Sequence, residues 1–198
     1  EAYKDGDYKK AIVLGNKLLQ IYAENDDCDC IEYAVDMSNL AMVFDRLQLY
    51  PQAEKYYKQA AELKKHCGGE SLSYADTLNN LAIVYNQTSR QTEALRLHRK
   101  VLEIREAKLG REHVDFLHSL YHIGNTYELL GEYDKAIEYH AMALRNNTFS
   151  TLELADVHGA LARAYEAKGN YKKAIYYYEI CLDLIEKARG CDTVYYMM

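Results

Sequence analysis

The segment Leu78-Asn79-Asn80-Leu81-Ala82-Ile83-Val84-Tyr85, followed by Ala94, carries a pattern that recurs along this 198-residue chain. Its residues Leu78, Leu81, Ala82 and Tyr85 fall at i, i+3, i+4 and i+7, which is one face of an α-helix. The small residue Ala82, here called the reference residue, has counterparts 41 residues before it and 42 and 80 residues after it, namely Ala41, Gly124 and Ala162. Self-similarity at a fixed period in this range indicates a solenoid.

Further positions recur at fixed distances from the reference residue. An aromatic residue follows after three positions, an alanine after twelve and a ring after sixteen: Phe44, Tyr85, Tyr127 and Tyr165; Ala53, Ala94, Ala136 and Ala174; Tyr57, His98, His140 and Tyr178. A break separates the two helical stripes of each copy, at Leu49-Tyr50-Pro51, Ser89, Gly131 and Gly169. Each copy is therefore predicted to be a helix hairpin, which must stack on its neighbours because it cannot bury its apolar face alone.

This pattern resembles that of the tetratricopeptide repeat family. The resemblance is clearest in Gly124…Tyr127…Gly131…Tyr133…Ala136 and in Ala162…Tyr165…Gly169…Tyr171…Ala174. The family's usual period is about 34 residues, and the longer period here is similar to that of the kinesin-light-chain subtype. The family's first-helix tryptophan is absent, and Met37, Leu78, Leu120 and His158 take its place. The resemblance implies an all-α, right-handed superhelical solenoid of stacked antiparallel helix hairpins.

The repeats divide the chain into one solenoid of six segments. They are a partial repeat over 1–30, four repeats over 31–72, 73–113, 114–151 and 152–190, and the start of a truncated repeat over 191–198. Within the four repeats the helix pairs are expected at 31–47 with 51–66, 73–88 with 91–108, 114–130 with 133–146 and 152–168 with 171–188. Because both chain ends resemble the inside of a helix, we expect a fragment of a longer solenoid.

Helix stop and start signals separate the pairs. Gly68-Gly69, Gly110 and Gly190 suit left-handed C-caps. Ser73-Tyr74-Ala75-Asp76 and Ser150-Thr151-Leu152-Glu153 resemble capping boxes, in which a serine and an acid three positions later satisfy free backbone amides at the start of a helix.

Composition excludes several classes of function. The net charge of −6 and the interleaved acids and bases show no basic face, so no nucleic-acid partner is expected. The sequence contains no apolar run near the length of a membrane span and no visible apolar leader. The odd number of cysteines, five, forms no evident disulfide framework, which favours a reducing, cytoplasmic location.

Weak chemical motifs point to no cofactor. His118 and His122 are spaced i, i+4, as zinc ligands can be, but no further ligand completes a motif. Cys28-Asp29-Cys30 has one intervening residue rather than two, and neither Cys67 nor Cys181 suggests a site, the latter standing at a core position. No phosphate-binding loop, nucleophile elbow or paired carboxylates appear, so we expect neither an enzyme nor a bound cofactor or metal.

The resemblance implies that the first helices of successive pairs line a concave groove. The inward positions are those six, three and two before the reference residue and one, four and five after it. Amides recur there and can pair with a peptide backbone of any sequence, while arginines can pair with acidic groups. The predicted groove residues are Asn39, Arg46, Asn79, Asn80, Asn86, Tyr121, His122, Asn125 and Arg163.

These observations predict a non-catalytic protein–protein interaction scaffold that binds an extended peptide or a partner protein in its groove. Two alternatives stay open. The chain could be the peptide-sensing regulatory domain of a larger bacterial regulator, or the substrate-recruiting arm of a multidomain enzyme. The fold alone does not decide between them, because one fold hosts many functions.

Overall fold

The computed structural model describes residues 8–24, 29–145 and 149–189, and all the secondary structure in these ranges is helical. The chain forms two compact units, Glu1–Lys108 and Leu109–Met198, which we call unit 1 and unit 2. The described helices are α1 (Tyr8–Glu24), α2 (Cys30–Arg46), α3 (Tyr50–Gly68), α4 (Leu72–Gln87), α5 (Gln91–Leu109), α6 (Val114–Leu129), α7 (Tyr133–Ala143), α8 (Thr151–Ala167) and α9 (Tyr171–Arg189).

These bounds agree with the expected helix pairs to within about one turn. The largest difference is at the end of α7, which stops at Ala143 rather than at 146. Residues 1–7, 25–28, 146–148 and 190–198 lie outside the described residues. The beginning of the partial repeat over 1–30, the whole truncated repeat over 191–198, the Gly190 cap and Cys28 of the Cys28-Asp29-Cys30 motif therefore lie outside them too.

Unit 1 is held together by the small and aromatic residues of the repeat. Its main core cluster contains residues from each of the helices α1 to α5. Tyr57 is 1% exposed there, and four alanines are fully buried: Ala41, Ala53, Ala82 and Ala94. A second cluster joins α3, α4 and α5 around Leu78 and Val101. The alanines let the helices approach closely, and the rings fill the space beside them, as in any close-packed interior.

Unit 2 repeats this arrangement in α6 to α9. α6 packs on α7, α7 on α8, and α8 on α9. Gly124, Ala136 and Ala162 are buried at the crossings, as their counterparts are in unit 1. On α9 the pattern is looser, since Tyr178 is 36% exposed where Tyr57 is 1% exposed.

A buried polar cluster sets the spacing of the first helices in unit 1. Thr77 of α4 donates to the Ser73 carbonyl at 3.0 Å and lies 3.3 Å from the Ser38 hydroxyl of α2. Lys64 of α3 is buried and donates to Thr77 Oγ1 at 2.8 Å. Burial lowers the pKa of Lys64, because a charged ammonium loses hydration there. These contacts join three helices and so position the walls of the cleft described below.

The helix ends confirm most of the sequence signals and correct one. Ser150 and Glu153 form a complete capping box at the start of α8. At α4, however, the N-cap is Ser71, whose hydroxyl accepts from the Tyr74 amide at 3.2 Å, so Ser73 lies inside the helix and caps nothing. The helix begins at Leu72, two residues before the start that a cap at Ser73 would give, so Ser73 cannot act as its cap. Gly69 and Gly110 adopt the expected positive φ, 64° and 81°.

The turn inside each hairpin requires a left-handed residue in every repeat. Gly131 and Gly169 have φ of 73° and 74°, and the same place is held by Gln48 and Ser89 at 58° and 59°. This conformation costs an L-residue about 1–2 kcal/mol, whereas for glycine the cost is only entropic, roughly 0.5–1 kcal/mol.

We therefore expect Ser89→Gly to raise the free energy of unfolding by about 0.5–1 kcal/mol. Ser89 is exposed, so little packing is lost. Chemical denaturation monitored by circular dichroism measures the change. The matched control is Gly131→Ser, which places serine at the equivalent turn of unit 2 and should lower stability by a similar amount. A change in the free energy of unfolding of the same sign in both variants would contradict the conformational argument.

Candidate functional site: two open clefts

The first helices of unit 1 wall an open cleft of about 440 Å³, here called the unit-1 cleft. Three lining residues come from α2, three from α4 and the rest from the turn after α2 and from α3: Met42, Asp45, Arg46; Asn80, Ile83, Gln87; Gln48, Tyr50 and Tyr57. The α2 and α4 residues all stand at positions expected to face inward. Met42, Ile83 and the Tyr57 ring are apolar parts of this lining, and most of the other side chains supply amides and charges.

Charge in the unit-1 cleft comes from two adjacent residues. Asp45 is half-buried, and this burial raises the pKa of its carboxyl, an effect that the nearby Arg46 guanidinium partly opposes. Arg46 is exposed at the cleft. Among the described residues, neither side chain has a hydrogen-bond or ion-pair partner.

The first helices of unit 2 wall a smaller cleft of about 230 Å³, here called the unit-2 cleft. It is lined by His118, Tyr121, His122, Phe149, Glu153, Asp156 and Val157. His118 Nε2 lies 2.9 Å from Glu153 Oε1, and the His118 ring lies 5.2 Å from that of Phe149. Hydrogen bonds from Ser150 lower the pKa of Glu153, since they stabilise its charged form.

The predicted groove residues are distributed unevenly over these surfaces. Arg46 and Asn80 line the unit-1 cleft, and Tyr121 and His122 line the unit-2 cleft. Asn39 lines a separate pocket of about 360 Å³ between α1 and α2. The predicted row of amides is thus divided among different surfaces.

Four predicted residues lie outside the clefts. Asn79 is only 8% exposed, and its Oδ1, like that of Asn125, has no hydrogen-bond partner in the part of the chain that the structure describes. Asn86 is half-buried. Arg163 is exposed and lies 3.4 Å from Glu128 Oε2, so this arginine already has an acidic partner within unit 2.

The contact between His140 and Glu128 in unit 2 accounts for the glycine at position 124. His140 is fully buried, and its Nε2 lies 2.7 Å from Glu128 Oε1. Its ring lies directly over Gly124, where an added Cβ would come within 2.5 Å of the imidazole. The His140 ring therefore leaves no room for a Cβ at the reference residue of this repeat.

The structure also joins two cysteines for which no pairing was expected. Cys30, the first residue of α2, forms a disulfide with Cys67 near the end of α3, with the Cα atoms 6.5 Å apart. This corrects the expectation that the cysteines form no framework. Cys181 is free and half-buried rather than fully buried. No cluster of three metal-ligating side chains occurs among the described residues.

Some cleft residues were missed because they do not belong to the first helices, and Glu153 and Val157 of α8 were missed because they stand outside the inward positions. Gln48, Tyr50 and Tyr57 come from the turn and from the second helix, and Phe149 comes from the turn between repeats. The spacing of Tyr57 had marked it as a packing residue, and its ring serves both roles. No sequence signal distinguished Phe149.

Repeated helix pairs whose first helices wall open clefts define a helical-repeat scaffold. The tetratricopeptide repeat profile matches residues 2–66 and 67–148, and a second profile of the same repeat matches residues 157–192. The chain belongs to the tetratricopeptide repeat family. Such repeats generally serve as protein-interaction scaffolds, and the scaffold is typically non-enzymatic.

Solved structures confirm the all-α fold of stacked helix hairpins. BtubC (BKLC) from P. vanneervenii superposes with a TM-score of 0.84 at 23% identity, covering 96% of this chain and 77% of that one. Tetratricopeptide-like repeats of a putative kinesin light chain from Podosopora anserina give a TM-score of 0.77 at 21% identity, covering 94% and 91%. The apo form of RapI gives 0.78 at 20% identity, covering 94% of this chain and 51% of its own. At these identities the likeness concerns the fold.

No curated protein sequence matches the chain significantly. Among the described helices, none combines the length and apolar character needed to cross a membrane.

Proposed function

We propose that this chain is a non-catalytic interaction module that binds an extended peptide, or an extended segment of a partner protein, in its clefts. The observation that carries the proposal is the convergence of inward positions from two successive first helices on the unit-1 cleft. There Asn80 and Gln87 stand in a lining that is mainly polar. Side-chain amides offer both donors and acceptors to a peptide backbone.

Further expectations belong to this proposal. The six-segment division of the solenoid supports a module that presents several first helices to a ligand. The regulatory-domain and recruiting-arm alternatives depend on domains beyond this sequence, and they are consistent with the same clefts. A cytoplasmic location stays a prediction, and the Cys30–Cys67 bond weighs against it, since structural disulfides are rare in reducing compartments.

The test is selection from a randomised twelve-residue peptide display library, followed by titration of a selected peptide. We expect Asn80→Ala with Gln87→Ala to weaken its binding about tenfold, because two net hydrogen bonds contribute roughly 1–3 kcal/mol together. Circular dichroism and thermal melting should be unchanged.

The matched control replaces two amides on the exposed surface of α3, Gln52→Ala with Gln59→Ala, neither of which lines the unit-1 cleft. This control should bind the peptide as the parent protein does. Failure of the parent protein to select any peptide, or equal weakening by both double variants, would reject the proposal.

A further inference from the structure

The acidic residue four positions after the reference residue has a partner in unit 2. In the repeat of α6 and α7 it is Glu128, which contacts His140 Nε2 at 2.7 Å and Arg163 Nε at 3.4 Å. In the repeat of α8 and α9 it is Glu166, which accepts a hydrogen bond from the Tyr178 hydroxyl at 2.8 Å. In both cases the ring sixteen positions after the reference residue supplies a contact. In both repeats of unit 2 a ring from the same hairpin thus contacts the carboxylate at this position.

The equivalent carboxylate of unit 1, Asp45, is not satisfied in this way. It lines the same cleft as Tyr57, but its side chain is one methylene shorter than that of Glu128 or Glu166. Among the described residues no side chain hydrogen-bonds or ion-pairs with Asp45, although it is half-buried. Burying a charge without a partner is unfavourable, which agrees with the raised pKa of its carboxyl.

The neighbouring charge, Arg46, cannot serve as that partner. Residues at i and i+1 of a helix do not face each other, so Asp45 and Arg46 do not form an ion pair. The positive charge of Arg46 only opposes part of the rise in the pKa of Asp45. Arg46 likewise has no ion-pair partner among the described residues. The residues equivalent to Arg46 in the other three repeats, Gln87, Leu129 and Ala167, carry no charge.

We infer that the unit-1 cleft recognises a peptide segment that carries a basic side chain and an acidic side chain together, with Asp45 binding the cation and Arg46 the anion. This inference rests on the proposed function and specifies its ligand. A guanidinium or ammonium group on the ligand restores to Asp45 the interactions that burial removed. A carboxylate on the ligand can accept two hydrogen bonds from the planar Arg46 guanidinium. Met42 and Ile83 offer the apolar surface on which the ligand's aliphatic stems pack.

The test compares three proteins against the same randomised twelve-residue display library: the parent, Asp45→Asn and Arg46→Gln. We expect peptides selected by the parent to be enriched in adjacent basic and acidic residues. Selection by Asp45→Asn should lose the basic enrichment and keep the acidic one, and selection by Arg46→Gln should do the reverse. The matched controls, Asp183→Asn and Arg96→Gln, change exposed residues outside the unit-1 cleft and should select as the parent does.

A double-mutant cycle then tests direct pairing. In one selected peptide the basic residue is replaced by methionine. We expect Asp45→Asn and the peptide change each to weaken binding about tenfold, and the combination to weaken it no further than either alone, because both remove the same charged hydrogen bond. Additive losses would overturn the inference.

The outcomes separate this inference from the function on which it rests. Peptides selected by the parent without a paired-charge signature would overturn the inference and leave peptide binding in the cleft intact. Selection of no peptide at all by a folded parent protein would overturn both. Circular dichroism of every variant establishes that it is folded before selection.

Discussion

Replacing Gly124 with alanine is expected to lower the free energy of unfolding by about 1–3 kcal/mol, the usual cost of overpacking a close-packed interior. The added Cβ would come within 2.5, 2.6 and 2.9 Å of three atoms of the His140 ring. That ring cannot move away easily, because it is fully buried and held by Glu128 at 2.7 Å. The clash exceeds the gain in helix propensity, which is roughly 1 kcal/mol for alanine over glycine.

The matched control is Gly159→Ala in α8. Gly159 is also buried in a first helix of unit 2, but a Cβ there would meet Cys181 Sγ at 3.6 Å, an ordinary van der Waals contact. This variant should be neutral or stabilising by up to roughly 1 kcal/mol. Urea denaturation monitored by circular dichroism compares the two. Similar stability changes for both glycines would show that His140 does not determine the cost at Gly124.

Breaking the Cys30–Cys67 disulfide is expected to have the largest effect on stability. The bond closes a loop with a sequence separation of 37 residues. A cross-link of this span restricts the unfolded chain and contributes about 4 kcal/mol in the chain-entropy account. It also joins the start of α2 to the end of α3, the two helices of one hairpin. We expect Cys30→Ser with Cys67→Ser, or treatment with a reductant, to lower the melting temperature by on the order of 10 °C.

The control uses the cysteine that forms no bond. Cys181→Ser should keep the full sensitivity to reductant, since Cys181 is free. Thiol labelling of the unfolded, unreduced protein, followed by peptide mass analysis, reports whether Cys30 and Cys67 are protected. Labelling of both cysteines, together with a melting temperature that reductant does not change, would contradict the bond and its contribution.

The two stability predictions also differ in what they imply for the clefts. Gly124→Ala would displace His140 and thereby disturb Glu128, which lies behind the unit-2 cleft. The disulfide lies on the α2–α3 hairpin, which contributes Met42, Asp45 and Arg46 to the unit-1 cleft. Peptide titrations of these variants below their melting temperatures would therefore report whether each cleft depends on the packing beneath it.

Much of the fold followed from the sequence because its signals are local. Helical periodicity, the small residue at each crossing and the glycines of the hairpin turns all lie within one repeat, and each predicted helix pair was confirmed. The capping signal at Ser73 failed for a local reason too: Ser71 competes for the same role, and only the actual path of the chain selects between them.

The candidate site was predicted less completely, since inward direction is a weaker signal than periodicity. The rule for inward positions placed Arg46, Asn80, Tyr121 and His122 on the clefts, whereas Asn79 at a position of the same type is buried. A small change in helix rotation moves a residue at the edge of a face from the cleft into the core. Side chains from second helices and turns could not be assigned by a rule written for first helices.

The period, the helix pairs and most of the residues buried at their crossings could be predicted from the amino-acid sequence alone. Three relations became visible only in the folded chain: among the described residues Asp45 lacks the kind of partner that Glu128 and Glu166 have, His140 covers Gly124, and Cys30 is bonded to Cys67. The physical reason is that these relations join residues 12 to 37 positions apart, as with Glu128 and His140 or the two cysteines. Whether such residues touch depends on side-chain length and helix packing, which the repeat pattern does not encode.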